Sequence, residues 1–85
     1  MPTQTVTVGS AVGLHARPAA IIAEAAEELG AEVYLAVPGD DPVEADSALL
    51  IMTLGAAKGD TIEVSGENAE HVAAIAALVA KDLDA

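Results

Sequence analysis

One short segment, from Gly13 to Pro18, holds the residue types best suited to chemistry on an anion. It contains His15, one of two histidines in a chain of 85 residues, and Arg17, the sole arginine. A neutral imidazole nitrogen is a nucleophile near neutral pH, and a guanidinium donates a forked pair of hydrogen bonds to phosphate oxygens. These residue types indicate that His15 accepts a phosphoryl group and that Arg17 neutralises it.

The position of the segment favours the same chemistry, because it connects a predicted strand to a predicted helix. The first backbone N–H groups of a helix have no intrahelical partners, and the helix dipole adds about half a positive charge there. We therefore expect Ala16 and Arg17 to bind the phosphate. Pro18 suits the first helical turn, where its missing N–H costs nothing, and Gly13 allows a close approach of the backbone.

A purely structural interpretation of the two residues stays open at this point. In that interpretation His15 only caps the helix, and Arg17 is an ordinary solvated charge. The composition favours the chemical interpretation. The chain has 14 acidic and 3 basic residues, so an arginine two positions after a histidine at an anion site is an unusual coincidence.

The elements that would position this segment are indicated by the spacing of apolar residues. Alternation predicts four strands, at residues 3–8, 32–37, 43–45 and 60–65, and the second and third form a hairpin. Helical spacing predicts three helices, at residues 16–29, at residues 48–54 and after Asn68, the last with an inward stripe of Val72, Ile75, Val79 and Leu83. The order β-α-β-β-α-β-α predicts an α+β fold with the helices on one face of a mostly antiparallel sheet.

Polar residues and glycines mark the ends of these helices. Gly30 is the expected C-cap of the first helix, Asp46 or Ser47 caps the short second helix, and Gly55 ends it. Asn68 is the expected N-cap of the third helix. The boundaries therefore agree with the apolar periodicity.

Composition limits the classes of function. The chain has no cysteine, which excludes disulfides and thiolate chemistry, and its net charge of −11 opposes binding to nucleic acid or anionic membranes. It has no leader-like N-terminus and no apolar run near the roughly 20 residues that a membrane span needs. We expect one cytoplasmic domain over residues 1–85 that binds proteins or small molecules.

The sequence resembles the HPr family, the histidine-containing phosphocarriers of the bacterial sugar phosphotransferase system, over nearly its whole length. Residues 13–19, GLHARPA, are similar to the family's active-site signature. Residues 46–55, DSALLIMTLG, correspond to its serine-site signature, and residues 57–60, AKGD, complete the pattern. Two signatures at the right separation make the resemblance specific.

The resemblance implies a fold and a function together. The fold would be an open-faced β-sandwich of a four-stranded antiparallel sheet and three helices. His15 would be phosphorylated on Nδ1 by enzyme I, itself phosphorylated by phosphoenolpyruvate, and would pass the group to the IIA domain of a sugar permease. The protein would be a monomeric carrier rather than an enzyme, with no cofactor and no metal, and would dock both partners through Leu49, Leu50 and Met52. Ile51 and Leu54 are expected in the core.

This sequence departs from the family pattern in the second signature. In relatives from low-GC Gram-positive bacteria, the serine that matches Ser47 is phosphorylated by a kinase and usually follows a basic residue, whereas Asp46 precedes it here. Ser47 is therefore a candidate site of regulatory phosphorylation, with helix capping as its competing role. Leu50 stands where many relatives have glycine, which predicts a bulkier docking patch.

The other polar residues and the other classes of function have less support. We expect His71 to be exposed to solvent, and the acidic pairs at residues 27–28 and 40–41 to be solvated charge. An alternative function is an HPr-like regulatory module that docks onto proteins without carrying phosphate, but such a protein would be expected to lack His15. A self-contained hydrolase would need a nucleophile, base and acid that the chain does not supply.

Overall fold

The computed structural model describes residues 1–83, and its elements follow the predicted order. The strands are β1 (Thr3–Thr7), β2 (Val33–Ala36), β3 (Val43–Glu44) and β4 (Thr61–Gly66). The helices are α1 (Ala16–Leu29), α2 (Ala48–Thr53) and α3 (Ala69–Ala80). In this described part, no helix is long and apolar enough to cross a membrane.

The four strands form one antiparallel sheet in the order β1-β4-β2-β3. Strand β4 lies between β1 and β2, so that Ile62 is opposite Val6 and Val64 is opposite Leu35. Alternate residues of a strand point to opposite faces, and both Ile62 and Val64 are fully buried. The sheet therefore buries one face, and the predicted open-faced α+β architecture is confirmed.

The core consists of aliphatic side chains from the sheet and all three helices. Its largest side chains without exposed surface are Ile22, Leu35, Ile51, Ile62 and Ile75. Burying a side chain of this size contributes roughly 1.5–3 kcal/mol before the entropy of ordering the chain is subtracted. The core therefore depends on close packing of Ala, Val, Ile and Leu, in a chain whose one aromatic residue is Tyr34.

Helix α1 has the predicted boundaries and the predicted faces. Ala19, Ile22 and Ala26 are buried against the core, while the glutamates at positions 24, 27 and 28 are exposed. Gly30 ends the helix in the left-handed region, at φ 67°, and its N–H donates to the carbonyl of Glu27. The long first helix is thus fixed by its apolar face and by its glycine C-cap.

Several predicted boundaries are wrong by a few residues. Strand β1 ends at Thr7 although Val8 is buried, β2 and β3 are shorter than predicted, β4 runs on to Gly66, and α2 ends at Thr53. The larger difference is in α3, which ends at Ala80 because Lys81 takes an extended conformation at φ −88° and ψ 148°. Leu83 consequently lies beyond the helix, although its side chain still packs against the core.

Candidate functional site

The loop that leads into α1, residues 8–14, is held in a tight turn; we call it the acceptor loop. The N–H of Gly13 donates to the carbonyl of Ser10 at 2.9 Å, and the N–H of Leu14 donates to the carbonyl of Ala56 at 3.0 Å. Gly13 has φ +74°, and a Cβ at this position would lie 2.3 Å from the Ala56 oxygen. The predicted close approach at Gly13 is therefore confirmed, and only glycine fits there.

His15 is the N-cap residue of α1, but its side chain does not cap the helix. Its backbone is extended, at φ −87° and ψ −169°, and its carbonyl accepts the N–H of Ala19 at 2.8 Å. The imidazole is exposed and makes no capping hydrogen bond. The interpretation of His15 as only a capping residue therefore loses its main support.

The first turn of α1 combines free backbone donors with a cation. Ala16 and Arg17 occupy the first two helical positions and are exposed, and the N–H groups at such positions have no partner within the helix. Pro18 follows and is buried, and as a proline it has no backbone N–H to contribute. The turn has no acidic residue. An anion beside His15 would thus meet two N–H groups, the positive end of the helix dipole and the Arg17 guanidinium.

Helix α2 packs against α1, and its residue Met52 lines one hollow with His15. Leu49 is 70% exposed and Leu50 is 37% exposed, whereas Ile51 is fully buried. Met52 is half-buried, and Leu54 is half-buried with its side chain against the core. Leu49 and Leu50 therefore lie outward and Ile51 inward, whereas Met52 and Leu54, which were predicted on opposite sides, are both half-buried and packed against the core.

A hollow of about 230 Å³ joins the acceptor loop to α2. Its lining includes His15, Met52, Val12 and Ala56, and it contains no carboxylate. The sequence analysis missed Val12, which is 56% exposed on the loop. Val12 lies between β1 and α1 and belongs to no strand or helix pattern, so periodicity carried no signal for it.

Ser47 caps α2, which decides between the two candidate caps. Its hydroxyl oxygen accepts the N–H of Leu50 at 3.3 Å. Asp46 is exposed and precedes the cap. The serine of the second signature thus has a structural role in this conformation, beside the outward leucines of α2.

The prediction that His71 is exposed to solvent is wrong. His71 is half-buried in the first turn of α3, and its Nδ1 atom is buried without a hydrogen-bond partner. It lies one helical turn before Ile75, which is fully buried, so its ring is turned toward the core side of the helix. The second histidine therefore has a packed environment quite unlike that of His15.

Acidic residues collect at the other end of α1. A hollow of about 280 Å³ there is lined by Glu27, Glu32, Glu44 and Asp46. The acidic pairs at residues 27–28 and 40–41 are exposed, as predicted. Within residues 1–83, no group of three or more His, Cys, Asp or Glu side chains is arranged to hold a metal ion.

Tyr34 lies close to this acidic end of the molecule, beside Glu32. Its hydroxyl donates to Oε2 of Glu32 at 2.8 Å. That hydrogen bond, together with desolvation and the neighbouring carboxylates, raises the pKa of Tyr34. The phenol therefore stays protonated at neutral pH, and it adds no charge to this end of the molecule.

Comparison with known proteins identifies relatives of one kind. The family model for the PTS HPr component phosphorylation site matches residues 2–81. The chain is 40% identical over 87 aligned positions to phosphocarrier protein HPr of Streptomyces coelicolor, covering 99% of this chain and 94% of that protein. It is 36% identical over 77 positions to phosphocarrier protein NPr of Klebsiella oxytoca, covering 91% and 86%. The crystal structure of HPr-C-His from Thermoanaerobacter tengcongensis superposes with a TM-score of 0.82 at 29% identity, covering 93% of this chain and 91% of that one.

Proposed function

Because the chain belongs to the HPr family of phosphotransferase-system phosphocarriers, we propose that it accepts a phosphoryl group from phosphorylated enzyme I on Nδ1 of His15. It then transfers that group to the IIA domain of a sugar permease. The observation that carries the proposal is the start of α1, where an exposed imidazole without a capping bond adjoins free N–H groups and Arg17.

Each residue of this turn has a distinct role in the transfer. Attack through Nδ1 requires the neutral imidazole with its proton on Nε2, and the lone pair of Nδ1 then bonds to phosphorus while the bond from phosphorus to the donor breaks. The N–H groups of Ala16 and Arg17 and the Arg17 guanidinium stabilise the negative charge on the equatorial oxygens. Because the helix already fixes the two backbone N–H groups in the free protein, these donors need little reorganisation when the phosphoryl group arrives.

Docking occurs on the apolar surface around the histidine. Leu49 and Leu50 supply exposed apolar area on α2, and Met52 and Val12 border the hollow that contains His15. A few such side chains are enough for a transient complex, since a small number of well-packed residues carries most of the energy of an interface. A carrier must leave each partner after transfer, so a small patch suits this function.

The choice of acceptor is the finer part of the proposal. Relatives named HPr and relatives named NPr both match the chain at similar identity. Family membership therefore supports phosphoryl carriage more strongly than it supports one acceptor. We assign the sugar-permease IIA domain on the two sequence signatures, and direct transfer to purified IIA domains tests that assignment.

The central experiment mixes the purified protein with enzyme I and phosphoenolpyruvate and measures intact mass. We expect one acid-labile phosphoryl group per chain, absent from His15→Ala. His71→Ala is the matched control, because it removes the other histidine and should keep full incorporation. Wild-type stoichiometry in His15→Ala would refute the proposal. A wild-type chain that binds enzyme I but never takes phosphate would instead support a regulatory docking module.

A further inference from the structure

Ser10, in the acceptor loop, is the one buried polar or charged side chain within residues 1–83. It has no exposed surface and lies five positions before His15. A hydroxyl buried without hydrogen bonds is costly, because it loses its bonds to water without replacing them. A buried hydroxyl therefore needs hydrogen-bond partners, and the Ser10 hydroxyl has two.

Both partners of Ser10 lie just after α3. The hydroxyl donates to the carbonyl of Lys81 at 3.3 Å and accepts the N–H of Leu83 at 3.1 Å. These bonds join residues 71 and 73 positions apart in the chain. The segment that leaves α3, residues 81–83, is therefore attached to the acceptor loop through one side chain; we call it the exit segment.

Gly9 strengthens this attachment through its backbone. Its N–H donates to the carbonyl of Val79 at 3.1 Å, and a Cβ at this position would lie 2.1 Å from the Ala80 oxygen. Only glycine permits so close an approach to the last turn of α3. The start of the acceptor loop is thus pressed against the end of α3, with the Ser10 hydroxyl as its side-chain anchor.

The turn connects this anchor to His15. The carbonyl of Ser10 accepts the N–H of Gly13, and Gly13 and Leu14 contact the backbone at Ala56. His15 follows directly. A shift of Ser10 would consequently be carried through a closed turn to the residue that holds the phosphoryl group.

From this geometry we infer that Ser10 is a positioning residue for phosphoryl transfer, through which the exit segment sets the place of His15. The inference rests on the proposed function of His15 and concerns how that residue is held. Transfer requires the attacking nitrogen in line with the bond that breaks, and a displacement of about 1 Å can cost about a hundredfold in rate. A loop that is loosened but keeps its place should lower the transfer rate by less than a hundredfold.

The first test compares Ser10→Ala with wild type in phosphoryl transfer from enzyme I. We expect kcat to fall by about three- to tenfold with KM within about twofold, because the docking side chains on α2 are untouched. Asn68→Ala is the control for general destabilisation, since it removes a helix cap at the opposite end of α3 and should leave kcat unchanged. An unchanged kcat in Ser10→Ala, or an equal fall in Asn68→Ala, would overturn the inference.

The second test removes the bond from the other side. Leu83→Pro deletes the N–H that Ser10 accepts, and Leu83→Ala keeps that N–H while removing the same side chain. We expect Leu83→Pro to slow transfer relative to Leu83→Ala in the wild-type background but not in the Ser10→Ala background, where the N–H is already unpaired. Equal slowing in both backgrounds would show that the bond is not the cause.

These outcomes are separate from those of the proposed function. If the wild-type chain takes no phosphate on His15, the proposed function fails before Ser10 is tested. If the wild type is phosphorylated normally and Ser10→Ala transfers at the same rate, only the role of Ser10 is refuted.

Discussion

The starts of α1 and α3 each carry a histidine, and the two are built in opposite ways. At α3, Oδ1 of Asn68 accepts the N–H groups of Glu70 at 2.9 Å and His71 at 3.4 Å, and Glu70 adds an acid to the first turn. At α1, the cap residue His15 accepts neither N–H with its side chain, and the turn has Arg17 instead of an acid.

The two helix starts differ in how far their own side chains stabilise the first N–H groups of the helix. An N-cap side chain stabilises a helix by about 1 kcal/mol, and an acid in the first turn adds about 0.3–1 kcal/mol through the helix dipole. The start of α3 has both stabilising features, and α2 has the Ser47 cap. The start of α1 has neither, so its N–H groups remain available to an external anion. A helix that lacks a cap where its neighbours have one is a candidate binding site in this chain.

The largest effect should come from Arg17, the second residue of α1. Arg17→Ala removes a charge-assisted contact to the phosphoryl group and should slow transfer by about ten- to a hundredfold. Arg17→Lys should recover only part of this, because an ammonium lacks the planar fork. Rapid-quench transfer assays measure both rates. The matched control is Glu70→Ala, at the second position of α3, and a normal rate in Arg17→Ala would show that the two helix starts do not differ in this way.

A smaller effect should follow when a glutamate is introduced into the first turn of α1, since the first turn of α3 already contains Glu70. Ala16→Glu places a carboxylate beside the free N–H groups, which should raise the unfolding free energy by about 0.3–1 kcal/mol and slow transfer by about five- to thirtyfold through repulsion. Ala69→Glu makes the same change at the first position of α3 and should affect stability alone. Urea unfolding and transfer rates measured on both variants check this. Faster transfer in Ala16→Glu would contradict it.

The third effect concerns Leu49 and Leu50, the exposed leucines of α2. Leu50→Ala and Leu49→Ala each remove exposed apolar area, so KM for phosphorylated enzyme I should rise by about five- to tenfold at nearly constant kcat. An unchanged KM in both leucine variants would place docking elsewhere.

The smallest effects should separate capping from docking at Ser47. Ser47→Asp keeps a good capping oxygen, so stability should change by only a few tenths of a kcal/mol, while the added charge beside Asp46 should raise KM by about two- to threefold. Ser47→Ala should lower the unfolding free energy by about 1 kcal/mol with KM unchanged. Steady-state kinetics and thermal unfolding distinguish the two. A KM that rises equally in both would assign the effect to the lost cap.

The predictable parts of the fold were those that depend on local spacing. Helix α1 was predicted to the residue, since its apolar face and Gly30 give independent signals within one segment. The strand ends were predicted less accurately, because a strand ends where its neighbour stops pairing with it. Leu83 was placed in the stripe of α3 because it follows Val79 by one helical repeat, yet the helix ends at Ala80.

The candidate site also has one part that local sequence predicts and another part that only the tertiary structure shows. The sequence by itself determined which functional groups stand at the start of α1, because His15, Arg17 and the helix start are neighbours along the chain. Only the tertiary structure decided that His71 is half-buried, that Val12 and Met52 border one hollow with His15, and that Ser10 bonds to the exit segment. The physical reason is that these contacts join distant segments, which meet only because the sheet and the three helices share one core.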